Sequence, residues 1–166
     1  MRSLIGPLTL LVFGIVGVPL FRADAGEPAT NAEAANRRML LPHCVYDGGG
    51  WVLRDCATGE ITIARLELAV SLRARLRGLQ RRSGMPRDAG LLLAPAGAIH
   101  TRRMCFSIDL TYLDCCGNVV AVRRNVRPWR WRIPRVCGAY AVLETPAGAS
   151  DLRVGQRLCV EPAERR

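Results

Sequence analysis

Lysine is missing from this chain: all 24 basic residues are arginine, set against 14 acidic ones for a net charge of +10. That sign of charge suits a polyanionic partner. The arginines, however, are spread through every kind of segment, and aromatic residues make up only 5%. A base-stacking platform has little material here. The missing lysine therefore reads as the bias of a GC-rich genome, and no nucleic-acid partner is expected. Histidine is almost as scarce, with two copies. No C-x-x-C occurs, and no cysteine–histidine spacing suits zinc, so neither a metal nor a cofactor is expected. Internal repeats are absent too. What remains is 166 residues, 49% hydrophobic and 23% charged. That is enough for one globular domain with a sizeable core.

The chain opens with one arginine and an apolar run from Leu4 to Phe21, followed by "RADAG". Ala23 and Ala25 form an A-x-A pattern, which predicts a signal peptide over residues 1–25 and a mature chain starting at Gly26. The alternative is an uncleaved anchor, since 18 apolar residues could just span a bilayer. Membrane contact is expected only through this segment, if it is retained. Both readings take the body out of the cytoplasm, to a periplasmic or extracellular location. All seven cysteines follow the cut, and an exported domain should bridge some of them. Residues 26–41 are small, polar and aperiodic, and read as a flexible tether. The domain is then expected over residues 42–163.

In "HCVYDGGGWVLRDC" two short apolar runs flank three glycines, which predicts a hairpin. Its cysteines, Cys44 and Cys56, would face each other within disulfide reach. "ITIARLELAV" reads as a strand. Leu72, Leu76 and Leu79 fall at i, i+4 and i+7, one face of a short helix ended by Gly84 and Pro86. "GLLLAP" is a short buried strand. "SIDLTYLD" sends Ile108, Leu110 and Tyr112 inward, with Asp109 and Thr111 outward. The turn "CCGN" and the strand "VVAVRR" complete a second hairpin, and "AYAVLE" and "QRLCVE" are further strands. The fold class expected is all-β, a mainly antiparallel sandwich or partly closed barrel, with one short helix.

An ordered series of motifs resembles the bacterial and archaeal family called domain of unknown function 192. It runs from Arg75, Gly78–Leu79 and Arg82, through Gly90 to Leu93, to Ile99–His100–Thr101 with Met104, Phe106 and Ile108–Asp109. Leu113–Asp114, then Arg127, Pro128, Trp129 and Arg130 follow. Val142–Leu143–Glu144, Pro146–Ala147–Gly148 and Gly155 close the series. The likeness spans about residues 60 to 161. Ala96 stands where the subfamily often has cysteine, and Cys105 and Ser107 replace an arginine and a proline. The resemblance implies a compact, commonly exported β-rich domain and supplies no reaction.

"IHTRRMCFSIDLTYLD" is the expected wall of a cleft, with His100 and Asp109 as its polar groups. His100 is either a general base or ligand group, or a donor to a backbone carbonyl. Asp109 either orients His100, or caps a turn or pairs with arginine. Thr101, Cys105 and Ser107 are nucleophile candidates, none on a recognisable nucleophile turn. Met104 shares a strand face with His100, but two soft ligands do not make a metal site. Arg75, Arg82 and Arg130 could grip an anion with their planar forks, and Trp129 could stack on a ring. Glu144 reads as the internal partner of an arginine. The candidate ligand set is thus Arg75, Arg82, His100, Thr101, Met104, Asp109, Trp129 and Arg130. The expected role is an exported envelope accessory protein that binds a small anionic or sugar-like ligand or another envelope protein. The alternatives are a hydrolase using His100 with Asp109, and a structural partner of a secretion or pilus apparatus.

Overall fold

The computed structural model describes residues 40–41, 45–96 and 98–164. The expected signal segment, Cys44 and nearly all of the tether lie outside them. Seven strands and one helix follow in order: β1 Gly48–Asp55, β2 Ile61–Ala69, α1 Leu72–Arg77, β3 Ala89–Leu93, β4 Ile108–Leu113, β5 Val119–Val126, β6 Ala141–Pro146 and β7 Leu158–Pro162. They form a single sheet in the order β5-β4-β6-β3-β2-β1-β7. Every pairing is antiparallel except β2 with β3, which run parallel through the α1 crossover. The fold is therefore mainly β with one short helix, built as one mixed sheet rather than a two-sheet sandwich.

The sheet curls until its edges touch at one end. An isolated bridge joins Asn118 to Arg157. Val119 N donates to Gln156 O at 2.8 Å, and Leu158 N to Gly117 O at 2.9 Å. The ladder does not close into a barrel. Curling gives the sheet two apolar faces. One cluster, on the inner face, includes Leu53, Ile63, Leu66, Leu92, Leu113, Leu143 and Leu158. A second, on the other face, gathers Leu91, Leu93, Ile99, Met104, Ile108, Leu110, Tyr112 and Val142. Strands β3, β4 and β6 have a core on each side, which explains why "GLLL" is a continuous apolar run rather than an alternating one.

Several sequence expectations change at this level. The three glycines are not a hairpin turn. They open β1, which is flanked by β2 and β7 and has no free edge for an arm before it. Its turn partner is β2. Leu40, assigned to the tether, is 2% exposed and donates its N–H to Cys115 O. The helix stops at Gly78, whose φ of 48° suits glycine, instead of running to Gly84. Leu79 is buried, whereas Leu72 and Leu76 are exposed. Asp109 and Thr111 point away from Ile108, Leu110 and Tyr112 as alternation requires, but they enter the inner core instead of solvent.

The hairpin from β4 to β5 matches the sequence reading. Asp114 Oδ1 accepts from Cys116 N and Asn118 N at 2.8 and 2.9 Å. Partial burial opposes ionisation of Asp114, but hydrogen bonds from Asn118, Cys116 and Gly117 outweigh it and hold the carboxyl below its usual range. Cys56 is bonded to Cys159, not to Cys44. The register explains this: Arg54 and Asp55 of β1 lie opposite Cys159 and Leu158 of β7. Among the described residues Cys105, Cys115, Cys116 and Cys137 are free thiols.

Candidate functional site

The parallel crossover leaves a small pocket on the outer face of the sheet. Leu72, Arg75 and Leu76 of α1 line it together with Leu93, Pro95, Ala96, Ile99 and His100, and with Glu144 of β6. The cavity volume is about 180 Å³, below the several hundred Å³ typical of drug-sized ligands. Ser71 starts the helix by accepting from Ala74 N at 3.2 Å. Asp47 holds the entry to it, accepting from Val70 N and Ser71 N at 2.7 and 2.9 Å. Arg75 is pinned by its Nη1 donating to Pro95 O. His100 is placed by the antiparallel bridge between Ile99 and Ile133 beside it.

Glu144 sits between Leu91 and Leu110 in the ladder and is 3% exposed. Burial pushes its carboxyl up to about 8, although the positive charge of Arg82 pulls the other way. Arg82 cannot neutralise it fully, because its fork is committed to Glu67, with both N–O distances 2.7 Å. That bond holds Glu67 below its usual range and raises Arg82. Glu144 is therefore a neutral acid at pH 7 and can donate an O–H. Three residues that line this pocket each carry a buried polar atom with no hydrogen-bond partner in the protein: Arg75 Nε, His100 Nδ1 and Glu144 Oε2. Buried polar atoms without a protein partner are costly and uncommon, and three on the lining residues of one pocket mark it as the candidate polar site.

The residues expected to form the site from sequence divide sharply. His100 and Arg75 line the pocket, and Arg82, outside its lining, acts through its charge on Glu144. Asp109 does not take part. It faces the opposite side of the sheet, opposite Thr145, while Glu144 pairs with Leu110. Its carboxylate accepts from Arg124 Nη1 at 3.1 Å, Asn125 N at 2.7 Å and Gly148 N at 3.0 Å. The His100–Asp109 pair required by the hydrolase reading is not assembled. Met104 is a core residue, 2% exposed. Thr101 is buried and staples two loops: its hydroxyl donates to Arg127 O at 2.9 Å and accepts from Arg130 N at 3.0 Å. Trp129 and Arg130 stand on that second loop, outside the pocket. Sequence reasoning placed Glu144 as an arginine's partner and missed it as a pocket group. The available signal was an acid on an otherwise apolar strand, "AVLET".

The fold and the site define a curled mixed-sheet domain with a small, apolar-walled pocket closed by one neutral acid, one arginine and one histidine. The chain belongs to the domain of unknown function 192 family, described as "Uncharacterized ACR", whose sequence profile matches residues 54–160. Two solved structures share the fold. One is described as a putative transcription regulator from Sinorhizobium meliloti, 23% identical, with a TM-score of 0.59 over 74% of this chain and 98% of that one. The other is a protein of unknown function from Novosphingobium aromaticivorans, 19% identical, with a TM-score of 0.57 over 80% and 99%. No curated protein matches the sequence.

Proposed function

We propose that this chain is an exported envelope binding protein that holds a small anionic ligand, of the short organic-acid type, in the pocket of Arg75, His100 and Glu144. The observation that carries the reading is that three residues lining one cavity each hold a buried polar atom without a protein partner. Arg75 Nε donates, and a neutral Glu144 donates as well. An acceptor-rich head such as a carboxylate complements both. An ionised Glu144 would repel that head, so its burial among Leu91, Leu110 and their neighbours serves the binding. The walls from Leu72, Leu76, Leu93 and Ile99 are apolar and suit a short hydrocarbon body better than a polyhydroxylated sugar. The "ADA" pattern after the apolar N-terminal run supports export.

The test is a thermal-shift and calorimetric series with acetate, propionate and butyrate, against the matching amides and glucose. Carboxylates should stabilise the protein and the controls should not. His100→Ala and Arg75→Gln should each remove the effect while leaving the unliganded melting temperature unchanged. Binding that survives both substitutions, or a preference for glucose, refutes the reading.

A further inference from the structure

A second surface shares none of the pocket's lining residues. Residues 127–132 read Arg-Pro-Trp-Arg-Trp-Arg. Trp129 and Trp131 are 66% and 73% exposed, the highest among the large apolar side chains described, whereas the third tryptophan, Trp51, is buried. An open groove of about 420 Å³ beside them is lined by Arg123, Arg124, Arg127, Arg130 and Arg132. Arg124 is paired with Asp109. Among the described residues no carboxylate lies within ion-pair distance of the other four. Five arginines from one stretch of chain, residues 123–132, thus line one groove.

The loop that carries the tryptophans is held, not loose. Thr101 fixes it through its hydroxyl, and the backbone adds Thr101 N to Arg130 O at 2.9 Å and Trp129 N to Thr101 O at 2.8 Å. Trp129 has φ 64°, an unfavourable conformation for an L-residue with a bulky side chain. Such strain persists where surrounding bonds enforce it. Here it holds a loop whose two indoles are left to solvent.

We propose that this face docks on a membrane surface bearing anionic phospholipid, with Trp129 and Trp131 at headgroup level and the arginines on phosphates. Tryptophan favours the interface because its ring is apolar and its N–H polar. Flanking arginines bury their stems while their guanidiniums reach the phosphates. The favoured alternative reading of such a surface, a single nucleic-acid strand, needs open ring faces for bases to stack on. One face of Trp131 is already taken by Arg102, 3.8 Å from the ring centroid, which leaves fewer ring faces for bases. An indole capped by a guanidinium suits a headgroup layer, where the edge inserts and the charge stays with phosphate.

The experiment uses the full chain with vesicles of brominated phosphatidylcholine, with and without phosphatidylglycerol. Bromine quenches only indoles that enter the bilayer, so a contribution from the apolar N-terminal segment does not mask the result. Tryptophan emission should be quenched with phosphatidylglycerol and not with phosphatidylcholine alone, and salt should reverse it. W129F/W131F, which leaves buried Trp51, should lose the quenching with no change in melting temperature. R127Q/R130Q/R132Q should raise the lipid needed for half-maximal quenching by about tenfold or more. Equal quenching by neutral vesicles, or no effect of the arginine substitutions, overturns the proposal. So does tight binding of a single-stranded oligonucleotide with no quenching by anionic vesicles.

Discussion

Glu144 and His100 line the same pocket, and each carries a buried atom, Glu144 Oε2 and His100 Nδ1, with no hydrogen-bond partner in the protein. The carboxyl ionises near pH 8 in the folded chain, against an ordinary value of 4.5. Between those values the folded state binds more protons than the unfolded one, so stability falls as pH rises through this window and levels off above it. The contribution is present in full below about pH 4.5. Glu144→Gln, which keeps the shape and removes the ionisation, should flatten this slope by a few kcal/mol between pH 5 and pH 8. Urea midpoints measured across that range decide it. A slope that is identical in both proteins excludes Glu144 as its source.

Asp109 gives the opposite kind of prediction. Its carboxylate satisfies the backbone N–H groups of Asn125 and Gly148, which would otherwise be unpaired. Arg124 is partly exposed, so water can recover much of that pair. Asp109→Ala should therefore cost about 2–3 kcal/mol, chiefly from the two orphaned N–H groups. Because the residue lies on the far face of the sheet from Glu144, carboxylate binding in the folded fraction should be unchanged. Denaturant titration and calorimetry on the same variant separate the two effects.

Gly117 occupies the turn between β4 and β5 at φ 87°, and an added Cβ would lie 2.2 Å from Leu158 O. That oxygen belongs to the backbone of β7, where the edges of the curled sheet meet, so it cannot swing aside. Gly117→Ala should cost about 3 kcal/mol or more, combining strained backbone with overpacking. A melting temperature within a degree or two of the parent would show that the two edges are not in fact held this close.

The parts of the fold that were legible in sequence are those set by local pattern. The Leu91–Leu93 run, the Asp114–Asn118 turn and the alternation of β4 each depend on residues a few positions apart. The errors share one cause, which is that curling is tertiary. It buries Asp109 and Thr111 on a face that alternation alone assigns to solvent. It also leaves Leu72 and Leu76 as the apolar rim of a pocket rather than core. The pocket itself joins α1, the segment around His100 and a residue on β6, and no spacing in the sequence links Arg75 to Glu144. Thr101 looked like a ligand hydroxyl because its neighbour is His100, yet successive residues diverge and its hydroxyl serves a loop 26 residues away.

The disulfide shows the same limit and yields the last prediction. Cys44 and Cys56 looked like partners because both flank the hairpin expected around the three glycines. The structure instead joins Cys56, just past β1, to Cys159 in β7, 103 residues later. β7 is an edge strand that meets the rest of the sheet along β1 and, at one end, near Asn118 and Val119. Closing so long a loop restricts the unfolded chain strongly, by about 4–5 kcal/mol on chain-entropy reasoning. Cys56→Ser and Cys159→Ser should each lower stability by about that amount, and the double variant should be no worse than either single one, since one bond is lost in all three. Peptide mapping without reduction should recover Cys56 joined to Cys159. Recovery of Cys56 joined to Cys44, or equal stability of reduced and oxidised protein, would overturn this account of how the last strand is held.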